Sequence, residues 1–206
     1  MEVKRNKDAI NHIQVALGYE GSLSTDEEVH SLTKLDESDT EYQSIATRIR
    51  LVKPTIGDVV VTSIEKVFNP YTLALYNLKK SEMDGFECEL WHGTKESNVD
   101  LICKNNLNYR LVRQYKFGKG VSFSKYFSYA FHYSVSNRPM FNMEYCVFLC
   151  KVIKNRCHIG RQGLIYPIIG YDSTMKSDED VIVKYDDDTF YPMYKIGFTI
   201  KRRNCP

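Results

Sequence analysis

The sequence predicts an α+β fold, on three observations. Helical periods gather early in the chain. Residues 145–153 are apolar on both faces and read as a buried central strand. Two further strand-like runs, residues 181–185 and 191–200, close the chain.

The elements follow in order. Residues 6–18 predict a short helix, with Asn6 at the cap, Ile10, Ile13 and Leu17 at helical spacing, and Gly18 to end it. Residues 19–40 are rich in Ser, Thr, Asp and Glu and carry few apolar groups, so they have little surface to bury. An N-terminal helix and an acidic mobile linker over residues 1–40 are therefore expected ahead of a domain spanning 41–206. From Glu41 the helical period returns through Tyr42, Ile45, Ala46 and Ile49. Pro54 and Gly57 punctuate the chain before the β-branched run Val59 to Ile64. Asn69-Pro70 marks a turn, a helix is expected over 71–83 around Leu73, Tyr76 and Leu78, and Asp84-Gly85 ends it.

Residues 86–92 alternate, which sends Phe86, Cys88, Leu90 and His92 to one face and Glu87, Glu89 and Trp91 to the other. Thr94 stands where it could cap a following helix with Val99, Ile102 and Cys103 inside. A glycine loop, Phe117 to Gly120, precedes an aromatic helix over 125–134. Asp186-Asp187-Asp188 is expected to turn a hairpin between the two closing strands.

A chain of 206 residues suffices for one sizeable domain. A formal charge of +2 is too small to point to nucleic acid or an anionic membrane. No apolar run is long enough to span a bilayer, and Met1 to Lys7 leads into no signal-like segment. None of the six cysteines forms a C-x-x-C pair, so neither a disulfide framework nor a zinc site is expected. A monomer in a reducing compartment, cytoplasmic or nuclear, is the expectation.

The chemistry begins at Leu90-Trp91-His92-Gly93-Thr94. A glycine after a strand-ending histidine permits close backbone approach to a flat ligand, and the imidazole can hydrogen-bond a sugar hydroxyl. His-Gly-Thr, a helix, Phe-Gly-Lys-Gly-Val-Ser-Phe-Ser, a helix ending His132-Tyr133-Ser134, and the closing strands follow one another in a fixed order. That order resembles the catalytic domain of the PARP family, the diphtheria-toxin-type ADP-ribosyltransferases, and is most similar to its small mono-ADP-ribosylating branch. The resemblance covers roughly residues 41–200. It implies a split antiparallel β-sheet with flanking helices, and NAD as a substrate with no metal. It further implies transfer of ADP-ribose to a protein acceptor.

The resemblance also implies roles. His92 would hold the adenosine ribose and Gly93 the nicotinamide amide. Thr94 would lie beside the dinucleotide and Arg110 toward its diphosphate or adenine side. Tyr133 would stack on nicotinamide. On residue chemistry alone Tyr133 could equally be core, and Arg110 a solvated surface charge. Three positions depart from the family pattern. Ser122 replaces a tyrosine beside the nicotinamide, and Ala130 replaces a serine that bonds its amide. Met193 stands where polymer-forming members are expected to carry a glutamate, giving a His92, Ser122, Met193 triad. Losing one amide contact typically costs about 1–3 kcal/mol. Two readings follow: a mono-ADP-ribosyltransferase, or a catalytically inactive relative that binds a ligand or a protein.

Overall fold

The computed structural model describes residues 30–50, 57–135 and 139–203. The helix expected over residues 6–18 lies outside them.

Among these residues nine strands form one sheet in the order β1-β2-β9-β5-β3-β4-β8-β7-β6. They are β1 (Ser31–Lys34), β2 (Asp58–Phe68), β3 (Phe86–Thr94), β4 (Val121–Ser124), β5 (Glu144–Lys154), β6 (Cys157–Ile159), β7 (Ser173–Met175), β8 (Val181–Lys184) and β9 (Phe190–Lys201). Every neighbouring pair is antiparallel except β6 with β7. Four helices among the described residues flank the sheet: α1 (Thr40–Arg50), α2 (Pro70–Glu82), α3 (Val99–Asn105) and α4 (Phe127–Ser134). The α+β class and the split sheet are both present. Five strands (β1, β2, β9, β5, β3) and four (β4, β8, β7, β6) meet at a single register pair, Trp91↔Ser124.

The core explains the order. β5 is buried on both faces, as a central strand should be. Tyr145, Val147 and Leu149 join α1 residues Tyr42, Ile45, Ala46 and Ile49 and α4 residues Phe127, Ala130 and Phe131. Cys146, Phe148, Cys150 and Val152 join α3 residues Val99, Ile102 and Cys103 on the other side.

Several expectations are corrected. The acidic stretch before Glu41 contains β1, paired from Ser31↔Phe68 to Lys34↔Glu65. All four β1 residues are exposed, so an edge strand held by backbone pairing alone left no apolar signal. Asn69 is a helix cap: its side chain accepts from the Tyr71 and Thr72 N–H groups, with Pro70 in the first turn. Tyr76 is buried, but Leu78 is 59% exposed; it lies about 200° around the helix from Tyr76. Trp91 is buried against Phe127 in an edge-on contact at 5.5 Å, whereas Phe86 is exposed. Alternation assigned the two faces of β3, but helices cover both. Finally, residues 186–188 do not turn a hairpin. β8 pairs with β4 and β7, β9 pairs with β2 and β5, and the aspartates carry the chain from one half of the sheet to the other.

Candidate active site

β3 and β4 share only the Trp91↔Ser124 pair, so they splay from His92 onward. The His92 side chain spans the gap: Nδ1 lies 3.0 Å from the Ser122 carbonyl oxygen. A carbonyl oxygen only accepts, so Nδ1 carries the hydrogen and Nε2 is left as an acceptor. Burial lowers the His92 pKa below its ordinary value, opposed by the Ser122 bond, so the ring is neutral near pH 7. Its ring packs against Phe123 at a tilt of 52°, with 5.6 Å between the centroids.

α4 closes one wall. A Cβ on Gly93 would lie 1.8 Å from the Ala130 carbonyl oxygen and 3.0 Å from the Tyr133 Cβ. The close approach read from Gly93 is thus to a helix of the chain itself, which alone demands glycine there. Tyr133 is 45% exposed, which rules out the core reading. Its ring sits 5.3 Å from Tyr129, with the two hydroxyls 3.1 Å apart. Burial, and then that hydrogen bond, push the Tyr129 phenol pKa up, so Tyr129 stays protonated and neutral. Ala130, Tyr129 and Tyr133 line a small pocket of about 40 Å³ together with Trp91, His92, Gly93 and Ser122.

That pocket adjoins a cleft of about 1460 Å³ that shares His92, Gly93, Ser122 and Tyr133 and continues past Thr94 to Arg110. Thr94 is buried at the end of β3 and caps no helix; its Oγ1 accepts from Asn98 Nδ2 at 3.1 Å. Arg110 lines the cleft while pairing with Asp187 at 2.5 Å and lying over the Tyr109 ring at 4.3 Å. It is both a cleft residue and a surface charge. Lys95, Arg113 and Lys119 line the cleft with it, and among the described residues no lining side chain is a carboxylate. Lys95 follows β3, whereas Arg113 and Lys119 share the segment before β4, and nothing in the sequence joins these two stretches, so their charges went unread. Tyr129 was legible in principle, four residues from Tyr133 on one helix face.

Met193 is not brought to the others. β9 is separated from β3 by β5, about 10 Å across the sheet. The β5–β9 register shifts between Leu149↔Tyr194 and Cys150↔Pro192, which leaves Met193 as the extra residue of a bulge. The bulge interrupts the alternation of β9, so Met193 and Tyr194 need not face opposite sides. Met193 packs instead beside Tyr194 and against the Tyr76, Ile153 and Tyr191 cluster. The strand flanking Ser122 is β8, through Ser122↔Val183.

Residues 39–162 match the family model described as the poly(ADP-ribose) polymerase catalytic domain. Among similar proteins, the protein mono-ADP-ribosyltransferase PARP12 of Homo sapiens is 29% identical over 183 residues, covering 80% of this chain and 25% of its own length. The Mus musculus protein of the same name is 26% identical over the same coverage. The chain spans about a quarter of the length of these relatives. The matched segment exceeds half of the sequence and contains the whole of β3, α3, β4 and α4, so the chain belongs to the poly(ADP-ribose) polymerase catalytic domain family.

Proposed function

We propose that the chain is an NAD-dependent mono-ADP-ribosyltransferase acting on protein side chains. The observation that carries this reading is the neutral His92. Its Nδ1–H is committed to the Ser122 carbonyl and its Nε2 is free to accept from a ribose hydroxyl, beside the exposed ring of Tyr133. The residues present fit the dinucleotide. Among the described residues four cationic side chains and no carboxylate line the larger cleft, which suits a diphosphate. The half-exposed ring of Tyr133, shared by that cleft and the small pocket, offers a face on which a flat ring can stack.

In the reaction the bond between the ribose C1′ and the nicotinamide nitrogen breaks. Nicotinamide leaves with the electron pair, neutralising its own positive charge. An acceptor oxygen, nitrogen or sulfur then forms the new bond to C1′; a carboxylate needs to lose no proton, and a hydroxyl gives its proton to solvent or a nearby base. His92 and Tyr133 contribute orientation, and the desolvated pocket favours loss of charge from the departing ring. No carboxylate from β9 takes part in this reading, and transfer stops at one unit.

The second reading, a binding module without catalysis, has its own observation. Ala130 and Ser122 both line the small pocket, where the family pattern has larger hydrogen-bonding side chains. Intact-mass spectrometry of the chain incubated with NAD and a cell extract separates the two. Transfer predicts a gain of one ADP-ribose unit on the chain or an acceptor, abolished in His92→Ala. No gain from folded protein, with NAD still bound in calorimetry, supports the binding module.

A further inference from the structure

β6 and β7 are parallel neighbours, paired from Cys157↔Ser173 to Ile159↔Met175. Residues 160–172 must therefore carry the chain back across the sheet before β7 can begin, and they do so without regular structure. The crossover is fastened in place. The Gly160 N–H donates to the Met175 carbonyl at 2.8 Å, the Tyr171 N–H to the Ile168 carbonyl at 3.0 Å and the Asp172 N–H to the Arg156 carbonyl at 3.0 Å. The Ile168 N–H donates to His158 Nε2 at 3.1 Å. It is also tied to the cleft: the N–H of Lys119, a cleft-lining residue, donates to the Leu164 carbonyl at 2.9 Å.

Topology requires the crossover but says nothing about its composition. Ile159, Ile165, Tyr166 and Ile168 are 50–68% exposed, and Ile169 is 99% exposed. Single exposed apolar residues are ordinary, whereas several on one ordered loop mark a surface that meets another molecule. The charges around them are lopsided. Asp172 is engaged by Lys184, Asp178 by Lys176 and Glu179 by Lys154. Arg156 and Arg161 are exposed, and no ion pair involves either among the described residues.

We propose that this crossover docks the acceptor polypeptide, a segment whose aliphatic or aromatic side chains cover the isoleucines while flanking Asp or Glu meet Arg156 and Arg161. The segment is held at the rim of the cleft through the Lys119–Leu164 link. This rests on the transferase reading of the cleft, and it narrows the substrate to acidic segments with apolar anchors.

The test is fluorescence anisotropy with the full chain and a labelled peptide of alternating Glu and Leu. The controls carry Lys for Glu, or Ala for Leu. The Glu/Leu peptide should bind, and its Kd should rise at least about tenfold in Ile168→Ser/Ile169→Ser and, separately, in Arg156→Glu/Arg161→Glu. Both controls should bind weakly to the unaltered chain. Equal binding by the loop variants, or by the Lys peptide, overturns the proposal. So does a dimer in sedimentation that separates in Ile168→Ser/Ile169→Ser, because a second copy would then be the occupant. NAD calorimetry on the same variants reports whether the cleft is intact. A peptide that is captured by the loop but gains no mass with NAD leaves docking standing and defeats the transferase reading. NAD-dependent mass gain without loop-dependent capture does the reverse.

Discussion

The backbone of β3 at Gly93 lies so close to α4 that a single added methyl carbon would sit 1.8 Å from the Ala130 carbonyl oxygen. The contact is with helix backbone, which cannot swing aside as a side-chain tip can. Gly93→Ala must therefore shift α4, whose Phe127, Ala130 and Phe131 belong to the central core. Overpacking of this kind costs about 1–3 kcal/mol or more. Thermal unfolding should show a melting temperature lowered by several degrees, together with loss of NAD binding as the small pocket widens. Unchanged melting and binding would mean that α4 is not seated on β3 as described.

The His92 ring predicts a pH dependence with a definite sign. Burial depresses its folded pKa below the ordinary 6.5, so the unfolded chain binds the proton more readily. The neutral ring's contribution to stability is then fully present above about 6.5 and is lost as pH falls through the folded value. Protonation would also place a hydrogen on Nε2 and abolish its acceptor role. NAD affinity, measured by calorimetry, should stay level from about pH 8 to 6.5 and fall only below that range. A midpoint above 6.5 would contradict the desolvated, neutral ring.

Both of these relationships are non-local, and this marks where the sequence was legible. α1 announced itself because four apolar residues share one helical face and all four are buried. β5 did so because a strand covered on both sides needs no polar alternation. His92, Gly93, Thr94 and Tyr133 were recognisable from order along the chain, and the cleft does bring them together. β1 was not legible, since backbone pairing at an edge asks nothing of its side chains. The bulge at Met193 was not legible either, because alternation is a rule for regular strands and one residue added beside Cys150 leaves no mark in the sequence. The expected hairpin failed because two strands joined by a short turn need not be partners when the sheet is split.

Ala130 offers a gain-of-function test. It is buried in α4 and lines the small pocket beside Tyr133. Ala130→Ser adds one hydroxyl facing the space assigned to nicotinamide. A hydrogen bond to the amide is worth about 0.5–1.5 kcal/mol net, so NAD binding should tighten by roughly two- to tenfold. Tyr133→Phe keeps the ring and should leave affinity within about twofold, whereas Tyr133→Ala should weaken it roughly tenfold. Calorimetry on the three variants checks the set. An unchanged Kd in Ala130→Ser and Tyr133→Ala together would place the nicotinamide away from α4.

Lys184 tests the other half of the sheet. Its side chain is fully buried, and its ammonium donates to the Ile153 carbonyl at 2.9 Å, Ser173 Oγ at 2.7 Å and Asp172 Oδ1 at 3.2 Å. Burial lowers its pKa, and Asp172 opposes the shift. All three donors are matched, so the charge is tolerated inside, and it pins the end of the 160–172 crossover to β5 and β8. Lys184→Met retains most of the volume but leaves three acceptors without their donor. Removing one partner of a buried pair costs about 3–5 kcal/mol. Asp172 is 28% exposed and can recover water, so the low end, about 3 kcal/mol, is expected. Differential scanning calorimetry should show a melting temperature lowered by roughly 10 °C. Hydrogen exchange should quicken first at Asp172 and Ser173, whose N–H groups hold the crossover to Arg156. A variant as stable as the parent would mean that Lys184 is a passenger in its strand rather than the anchor of the loop.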